Sequence, residues 1–210
     1  MIFCDIKSAI RSVFRSRLTS AISILGLGIG LGCIIVLTAL IFHERSFDTF
    51  IPGYRNVYRV IFGNSAQISY PLAEEMWREF PEVKDFFRYY QAGSFQLRNA
   101  RHEMVRDRSL GFADTSIFRI LGIKFISGGA AGSRTEIAIS EESAKKYFGD
   151  DSPLGKILSV KFADGFSDLI VSGVYESFPA NSTLDPLFIA DIRLSEKIFM
   201  QFQKSLGAYG

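Results

Sequence analysis

The sequence has 210 residues, of which 48% are hydrophobic and 22% are charged. This composition suits one membrane-spanning segment followed by one folded domain, and the net charge of +2 is too small to indicate a nucleic-acid-binding protein. Both cysteines, Cys4 and Cys33, precede that domain, which excludes a disulfide framework within it.

The first 17 residues carry four basic side chains and one acidic side chain. Their apolar residues fall at helical spacing, so we predict an amphipathic helix at the membrane interface; the alternative is a basic flank that only sets the topology. In both cases the positive-inside rule places residues 1–17 in the cytoplasm. The residues predicted to form a cytoplasmic interface are Lys7, Arg11, Arg15 and Arg17.

Residues 18–42 contain no charged side chain. A helix of this length extends roughly 37 Å, which is enough to cross a hydrocarbon core of about 30 Å. A cleaved signal peptide would have a shorter apolar core and a small-residue cleavage site. A lipidated Cys33 should be followed by polar residues, whereas residues 34–42 are almost entirely apolar. We therefore predict a transmembrane helix over residues 18–42.

Four glycines alternate along this span at Gly26, Gly28, Gly30 and Gly32. A dinucleotide-binding fingerprint starting at Gly26 would need glycine at position 31, which is leucine. The spacing instead gives two small-xxx-small pairs, which allow another helix to approach closely. We predict that these glycines pack against partner helices.

The remaining residues predict short helices and short strands in alternation. Strands are predicted at residues 57–62, 123–126, 136–139, 157–162 and 168–175, and strand-rich segments at residues 86–97 and 104–112. Helices are predicted from Pro71 to Pro81, at residues 116–121, and from an N-cap at Ser140 to Gly149. Met76 and Trp77 are expected in the core. The predicted fold class is α+β, with residues 43–210 as a mixed α/β domain behind the membrane helix.

Arrangements typical of active sites are incomplete in this sequence. A P-loop-like stretch ending at Lys156 has the wrong glycine spacing, and Ile157 stands where Ser or Thr would contact magnesium. His43 and His102 each lack the second histidine of a zinc protease helix. We therefore predict a chain that is not an enzyme, with no catalytic residue, cofactor or metal ligand set.

Several segments, taken in order, resemble a known family. The similar segments are residues 24–30, 44–50, 58–60, 112–122, 140–149, 153–156, 171–174 and 178–182. This ordered set resembles the permeases of MacB/FtsX-type ABC transporters over essentially the whole chain. The match is strongest in the second half, which resembles the periplasmic core domain of that family.

The resemblance implies a permease subunit in a bacterial inner membrane. Its separate ATPase subunit would hydrolyse ATP in the cytoplasm, and the periplasmic domain at residues 43–210 would change conformation in response. The expected partners are that ATPase subunit, other permease helices, a second copy in a dimer and a periplasmic or envelope protein. The resemblance also implies a membrane-near β-α-β part at about 54–110, an outer subdomain at about 111–210, and a continuation of the domain past Gly210.

A function from a different class is the alternative. A membrane-anchored periplasmic sensor or binding module with one span would have the same order of segments. It would bind a ligand through residues 44–210 with no ATPase present, whereas a permease would co-purify with its ATPase subunit.

Overall fold

The computed structural model describes residues 17–61, 63, 69–93, 95–98, 104–162 and 165–195. The chain divides into two compact units, Met1–Phe47 and Asp48–Gly210. The first unit contains the apolar helix, and the second contains the sheet domain. The predicted amphipathic helix lies outside the described residues, except for Arg17.

The apolar helix α1 extends over Arg17–Arg45, which includes the predicted span. It is the one helix of the described residues that is long and apolar enough to cross a membrane, and its apolar segment is not buried against the rest of the chain. A turn follows it, in which the Ser46 amide and hydroxyl both donate to the His43 carbonyl, at 3.0 Å and 2.7 Å. The three residues beyond Phe42 continue the helix because His43, Glu44 and Arg45 add no helix-breaking residue.

The sheet domain is built on nine described strands. They are β1 (Tyr89–Gln91), β2 (Phe95–Arg98), β3 (Met104–Asp107), β4 (Leu110–Ala113), β5 (Phe125–Gly128), β6 (Glu136–Ser140), β7 (Ile157–Phe162), β8 (Gly165–Tyr175) and β9 (Phe188–Asp191). Their order is β1-β4-β9-β6-β8-β7-β2-β3, with β5 beside the C-terminal half of β8. The pairs β4–β9 and β6–β8 are parallel, and the other pairs are antiparallel.

The central strands β4, β6 and β9 separate two hydrophobic cores. Along β9, Phe188 and Ala190 belong to the first core, whereas Ile189 between them belongs to the second. Neighbouring side chains of a strand point to opposite faces, so each face of the sheet covers its own core. The sheet also curves around the first core, because Phe95 of β2 and Phe188 of β9 meet edge to face at 5.3 Å although three strands separate them in the sheet.

Three short helices accompany the sheet: α2 (Leu72–Glu79), α3 (Ser116–Leu121) and α4 (Glu141–Phe148). All three were predicted. The Ser140 hydroxyl caps α4 by accepting a hydrogen bond from the Ser143 amide at 3.2 Å, as predicted. The hairpin of β7 and β8 is also confirmed, with pairs from Ile157↔Ile170 to Phe162↔Gly165.

Other predictions about the domain are wrong or shifted. Residues 57–61 form no strand, because no described strand pairs with them and a β-rich sequence alone supplies no hydrogen-bonded neighbour. Trp77 and Met76 were expected in the core, but α2 has no buried residue and Trp77 is 52% exposed. The predicted strand-rich segment at 86–97 contains two short strands, β1 and the start of β2, and Gly93 lies between them with φ at 70°.

The predicted boundary near residue 110 does not interrupt the sheet. Strand β1 pairs with β4, and β2 pairs with β7, so strands from both sides of that boundary belong to one sheet. The division into a membrane-near part and an outer subdomain stays a prediction.

Candidate functional site

The glycines of α1 lie on two faces of the helix. At 3.6 residues per turn, Gly26 and Gly30 share one face, and Gly28 and Gly32 lie roughly 200° around the helix. A Cβ atom added at any of the four would meet no atom within 4 Å. Each face is therefore open to the close approach of a neighbouring helix.

The predicted cytoplasmic residues are only partly within the described chain. Lys7, Arg11 and Arg15 lie outside the described residues, and Arg17 begins α1. Their role as an interface stays a prediction.

The start of the sheet domain is fixed in the second core. Ile51 is buried there, in the same cluster as Phe118 and Leu121 of α3. The adjacent Pro52 lies against Gly122, where a Cβ atom would come within 2.6 Å of two proline ring carbons. Gly122 ends α3 with φ at 70°, a left-handed conformation that glycine adopts without steric cost. The chain that follows α1 is thus tied to the sheet domain within a few residues.

A cleft of about 360 Å³ lies where two parallel strands end. Asp191 ends β9 opposite Ala113 of β4, and Asp114 follows Ala113. Each of these aspartates holds an arginine. The Arg88 guanidinium donates to both oxygens of Asp114, at 2.9 Å and 2.7 Å, and Arg193 donates to both oxygens of Asp191.

Arg88 also joins α2 to this arrangement. Its guanidinium carbon lies 4.1 Å from the centre of the Tyr70 ring, and its Nη1 atom lies 3.5 Å from a carboxylate oxygen of Glu74. A guanidinium stacked on a ring and forked on a carboxylate is held in one orientation. Arg88 therefore links the segment around α2 to the N-terminal end of α3.

The electrostatics of the cleft favour structural ion pairs. The hydrogen bond to Asp114 raises the pKa of Arg88 despite the opposing effect of partial burial. Burial would raise the pKa of Asp191, but the hydrogen bonds from Arg193 outweigh it and lower that pKa. Because each aspartate is paired with an arginine, the cleft suits the joining of elements better than the binding of a charged ligand.

A second buried carboxylate belongs to Asp107 at the end of β3. Asp107 of β3 accepts hydrogen bonds from the Lys146 ammonium at 2.8 Å and from the Tyr147 hydroxyl. Both donors belong to α4, so this group fixes α4 to the sheet. Among the described residues, no group of three His, Cys, Asp or Glu side chains is placed to hold a metal ion.

The sequence predicted the apolar helix, but not the contacts that fix the sheet domain. The contacts of Asp48, Arg88 and Ile51 were not predicted. A short signal was available, since Ile51-Pro52-Gly53 is an apolar and turn-forming sequence directly after the span.

The fold and the preceding apolar helix define a membrane-anchored domain with a mixed sheet. Residues 20–208 match the MacB-like periplasmic core domain family, and the chain belongs to that family. No curated protein matches the chain. The family is a component of ABC transporters and not a classical enzyme family.

Three solved structures show similarity to the chain. A domain of a candidate permease protein from Porphyromonas gingivalis is 23% identical, with a TM-score of 0.51, over 57% of this chain and 51% of that chain. The periplasmic region of MacB from Actinobacillus actinomycetemcomitans is 16% identical, with a TM-score of 0.43, over 54% and 52%. The extracellular domain of the noncanonic ABC-type transporter YknZ from Gram-positive bacteria is 20% identical, with a TM-score of 0.43, over 60% and 66%. The chain thus spans about half the length of the first two.

Proposed function

We propose that the chain is a permease subunit, or part of one, of an ABC transporter in a bacterial inner membrane. A separate cytoplasmic ATPase subunit hydrolyses ATP, the membrane helices shift, and the sheet domain in the periplasm changes conformation. Membership in the MacB-like periplasmic core domain family supports this function. The observation that carries it is the short connection after α1, where Ile51 is already buried in the second core.

This connection suits mechanical coupling. Five residues separate Arg45 at the end of α1 from Ile51, and Pro52 is held against Gly122. The segment between the helix and the core is therefore too short to absorb much of a displacement of the helix end. A sensor whose domain acts alone has no need of such a short connection.

The orientation and the partner surfaces are part of the proposal. Residues 1–17 face the cytoplasm, where Lys7, Arg11, Arg15 and Arg17 meet the ATPase side of the machinery. Gly26 and Gly30 pack against one neighbouring helix, and Gly28 and Gly32 pack against another. One of these neighbours belongs to a second copy in a dimer.

Co-purification from native membranes tests the function. The full-length chain, extracted in mild detergent, should retain an ATPase subunit, and addition of ATP with vanadate should change amide exchange in the sheet domain. A chain that binds a periplasmic ligand and retains no ATPase would instead support the anchored sensor.

The helix-packing role has its own test with a matched control. Gly26→Ile together with Gly30→Ile should reduce recovery of the partner subunits, because two branched side chains would hold the neighbouring helix away. Leu27→Ile together with Leu31→Ile has the same spacing and depth on another face, and it should leave recovery unchanged. Equal recovery of the partner subunits from both double variants would show that Gly26 and Gly30 do not contact a partner helix.

A further inference from the structure

Asp48, the first residue of the sheet domain, contacts a loop that is distant in the sequence. Its carboxylate accepts hydrogen bonds from the Thr183 amide at 2.9 Å and from the Thr183 hydroxyl at 2.5 Å. Its own amide donates to the Asn181 carbonyl at 2.9 Å. Three hydrogen bonds thus join Asp48 to residues more than 130 positions further along the sequence.

The backbone of Asp48 is adapted to this contact. Its φ is 56°, in the left-handed region that few residues other than glycine adopt, although aspartate and asparagine tolerate it better than most. The Ile51 amide donates to the Asp48 carbonyl at 3.2 Å, which closes a turn. Asp48 therefore turns the chain so that Ile51 reaches the second core while the carboxylate reaches Thr183.

The loop that receives Asp48 is itself well supported. The Ser182 amide donates to the Pro179 carbonyl at 2.9 Å, and the Ser182 hydroxyl donates to the Leu184 carbonyl at 2.6 Å. Phe178 at the beginning of the loop is buried in the second core, and Leu184 packs against that core. A contact with this loop is therefore a contact with a rigid part of the domain.

We propose that Asp48 and Thr183 form a latch that fixes the start of the sheet domain, with Asn181 as the third member. When the latch is closed, a displacement of the end of α1 reaches the second core through Asp48 as well as through Ile51. When it is open, the displacement reaches the second core through Ile51 alone. The coupling role rests on the proposed function, whereas the latch contact itself requires no ATPase.

The latch differs from an ordinary surface hydrogen bond in two respects. Both oxygens of one carboxylate are used, and an ionised acceptor makes these bonds stronger than neutral ones. The contact also holds a strained backbone conformation, which persists only where the surroundings stabilise it. Neither feature is needed if residues 48–50 serve only as a spacer.

Amide hydrogen exchange on the full-length chain in mild detergent tests the latch. In Asp48→Gly, the backbone keeps its left-handed conformation without strain but both acceptor oxygens are lost. We expect exchange at the Thr183 amide to rise at least tenfold, with the amides of β7 and β8 unchanged. Asp48→Asn retains one acceptor oxygen and tolerates the same φ, so its exchange should lie between those of Asp48→Gly and the unaltered chain.

A second pair of variants guards against a general loss of structure. Thr183→Val removes the hydroxyl and keeps the amide, and Thr183→Ser keeps both donors. Exchange at the Asp48 amide should rise in Thr183→Val and stay unchanged in Thr183→Ser. Equal exchange at Thr183 in Asp48→Gly and in the unaltered chain would overturn the latch.

The outcome is separable from that of the proposed function. If the chain retains no ATPase subunit but its Thr183 amide is protected, the transporter role is contradicted and the latch is supported. An ATPase-bound chain in which Asp48→Gly leaves Thr183 exchange unchanged would remove the latch and leave the transporter role.

Discussion

Asp107 shows how one buried carboxylate can fix a helix to a sheet. Burial raises its pKa, but the hydrogen bonds from Lys146 and Tyr147 outweigh this effect and the pKa is lowered. The same contact raises the pKa of Lys146, and burial together with Asp107 raises the pKa of Tyr147 to about 12. The ionised form of Asp107 is therefore the form that stabilises the fold.

This arrangement predicts an acid-sensitive domain. A carboxyl group whose pKa is lower in the folded chain contributes stability above its unfolded pKa of about 3.9, and that contribution is lost as the pH falls through the folded pKa. Asp107→Asn should lower the free energy of unfolding by about 1–2 kcal/mol at pH 7, with Lys146 half exposed and partly screened. Urea titrations in detergent between pH 3 and pH 7 should show a smaller pH dependence for Asp107→Asn. An unchanged pH dependence would contradict this role.

Arg88 makes three kinds of contact, two of which a lysine cannot reproduce. It forks on Asp114, stacks on Tyr70 and approaches Glu74, and its side chain is 16% exposed. Arg88→Lys should cost about 1–2 kcal/mol, because an ammonium group gives neither the bidentate pair nor the stacking.

The same variant should affect one helix in particular. Because α2 has no buried residue, its contact with Arg88 and the ring contact between Trp77 and Phe86 should contribute strongly to its attachment to the domain. Amide exchange over residues 72–79 should increase in Arg88→Lys, whereas exchange in β6 and β8 should not. Arg119→Lys is the control, since Arg119 pairs with Asp85 at an exposed position and should change neither region.

At the level of elements, the end of α3 carries the contact that seats the start of the domain. Gly122 combines a left-handed backbone with the close approach of Pro52. Gly53 has almost the same backbone angles, with φ at 65° and ψ at 32°, but an added Cβ atom there would meet nothing within 4 Å. Alanine at Gly53 therefore measures the free-energy cost of the left-handed backbone alone, whereas alanine at Gly122 adds the cost of the clash with Pro52.

This difference gives a quantitative prediction. Gly53→Ala should destabilise the domain by about 1 kcal/mol, the cost of placing alanine in the left-handed region. Gly122→Ala should cost roughly 2–4 kcal/mol, because overpacking against Pro52 is added. Replacing Pro52 by Ala in the Gly122→Ala background should recover part of the loss, as urea titrations would show. Equal losses for the two glycine variants would mean that the Pro52 contact is unimportant.

The sequence predicted the elements that have strong local signals. It failed for elements and contacts that depend on pairing with a distant part of the chain. The helix cap at Ser140, the end of α4 at Gly149 and the hairpin of β7 and β8 follow from turn and capping residues, which act over a few positions. Residues 57–61 have the composition of a strand, but a strand also requires a hydrogen-bonded neighbour, which composition does not specify. For the same reason, contacts over long sequence separations, such as Arg88 with Asp114 and Asp48 with Thr183, could not be predicted.

At the scale of the whole molecule, the two units differ in whether their large apolar side chains are exposed. The large apolar side chains of α1 are exposed along its length, whereas those of the central strands β4, β6 and β9 are buried on both faces. A protein in water rarely leaves so long an apolar surface uncovered. Each Leu, Ile, Val or Phe near the centre of such a helix favours insertion by roughly 0.3–0.6 kcal/mol, so lipid is the environment that the composition of α1 requires.

The position of Cys33 allows a direct test of this assignment. Cys33 is exposed on α1 and lies within the apolar span, so lipid should shield it from a membrane-impermeant maleimide in intact membranes. The experiment uses Cys4→Ala, which leaves Cys33 as the sole thiol. The matched control is Arg55→Cys in a chain with both natural cysteines replaced by alanine, because Arg55 lies in an exposed turn of the sheet domain. The control should react within minutes and Cys33 only after the membrane is dissolved with a denaturing detergent. Equal labelling of the two positions in intact membranes would show that α1 does not span the bilayer.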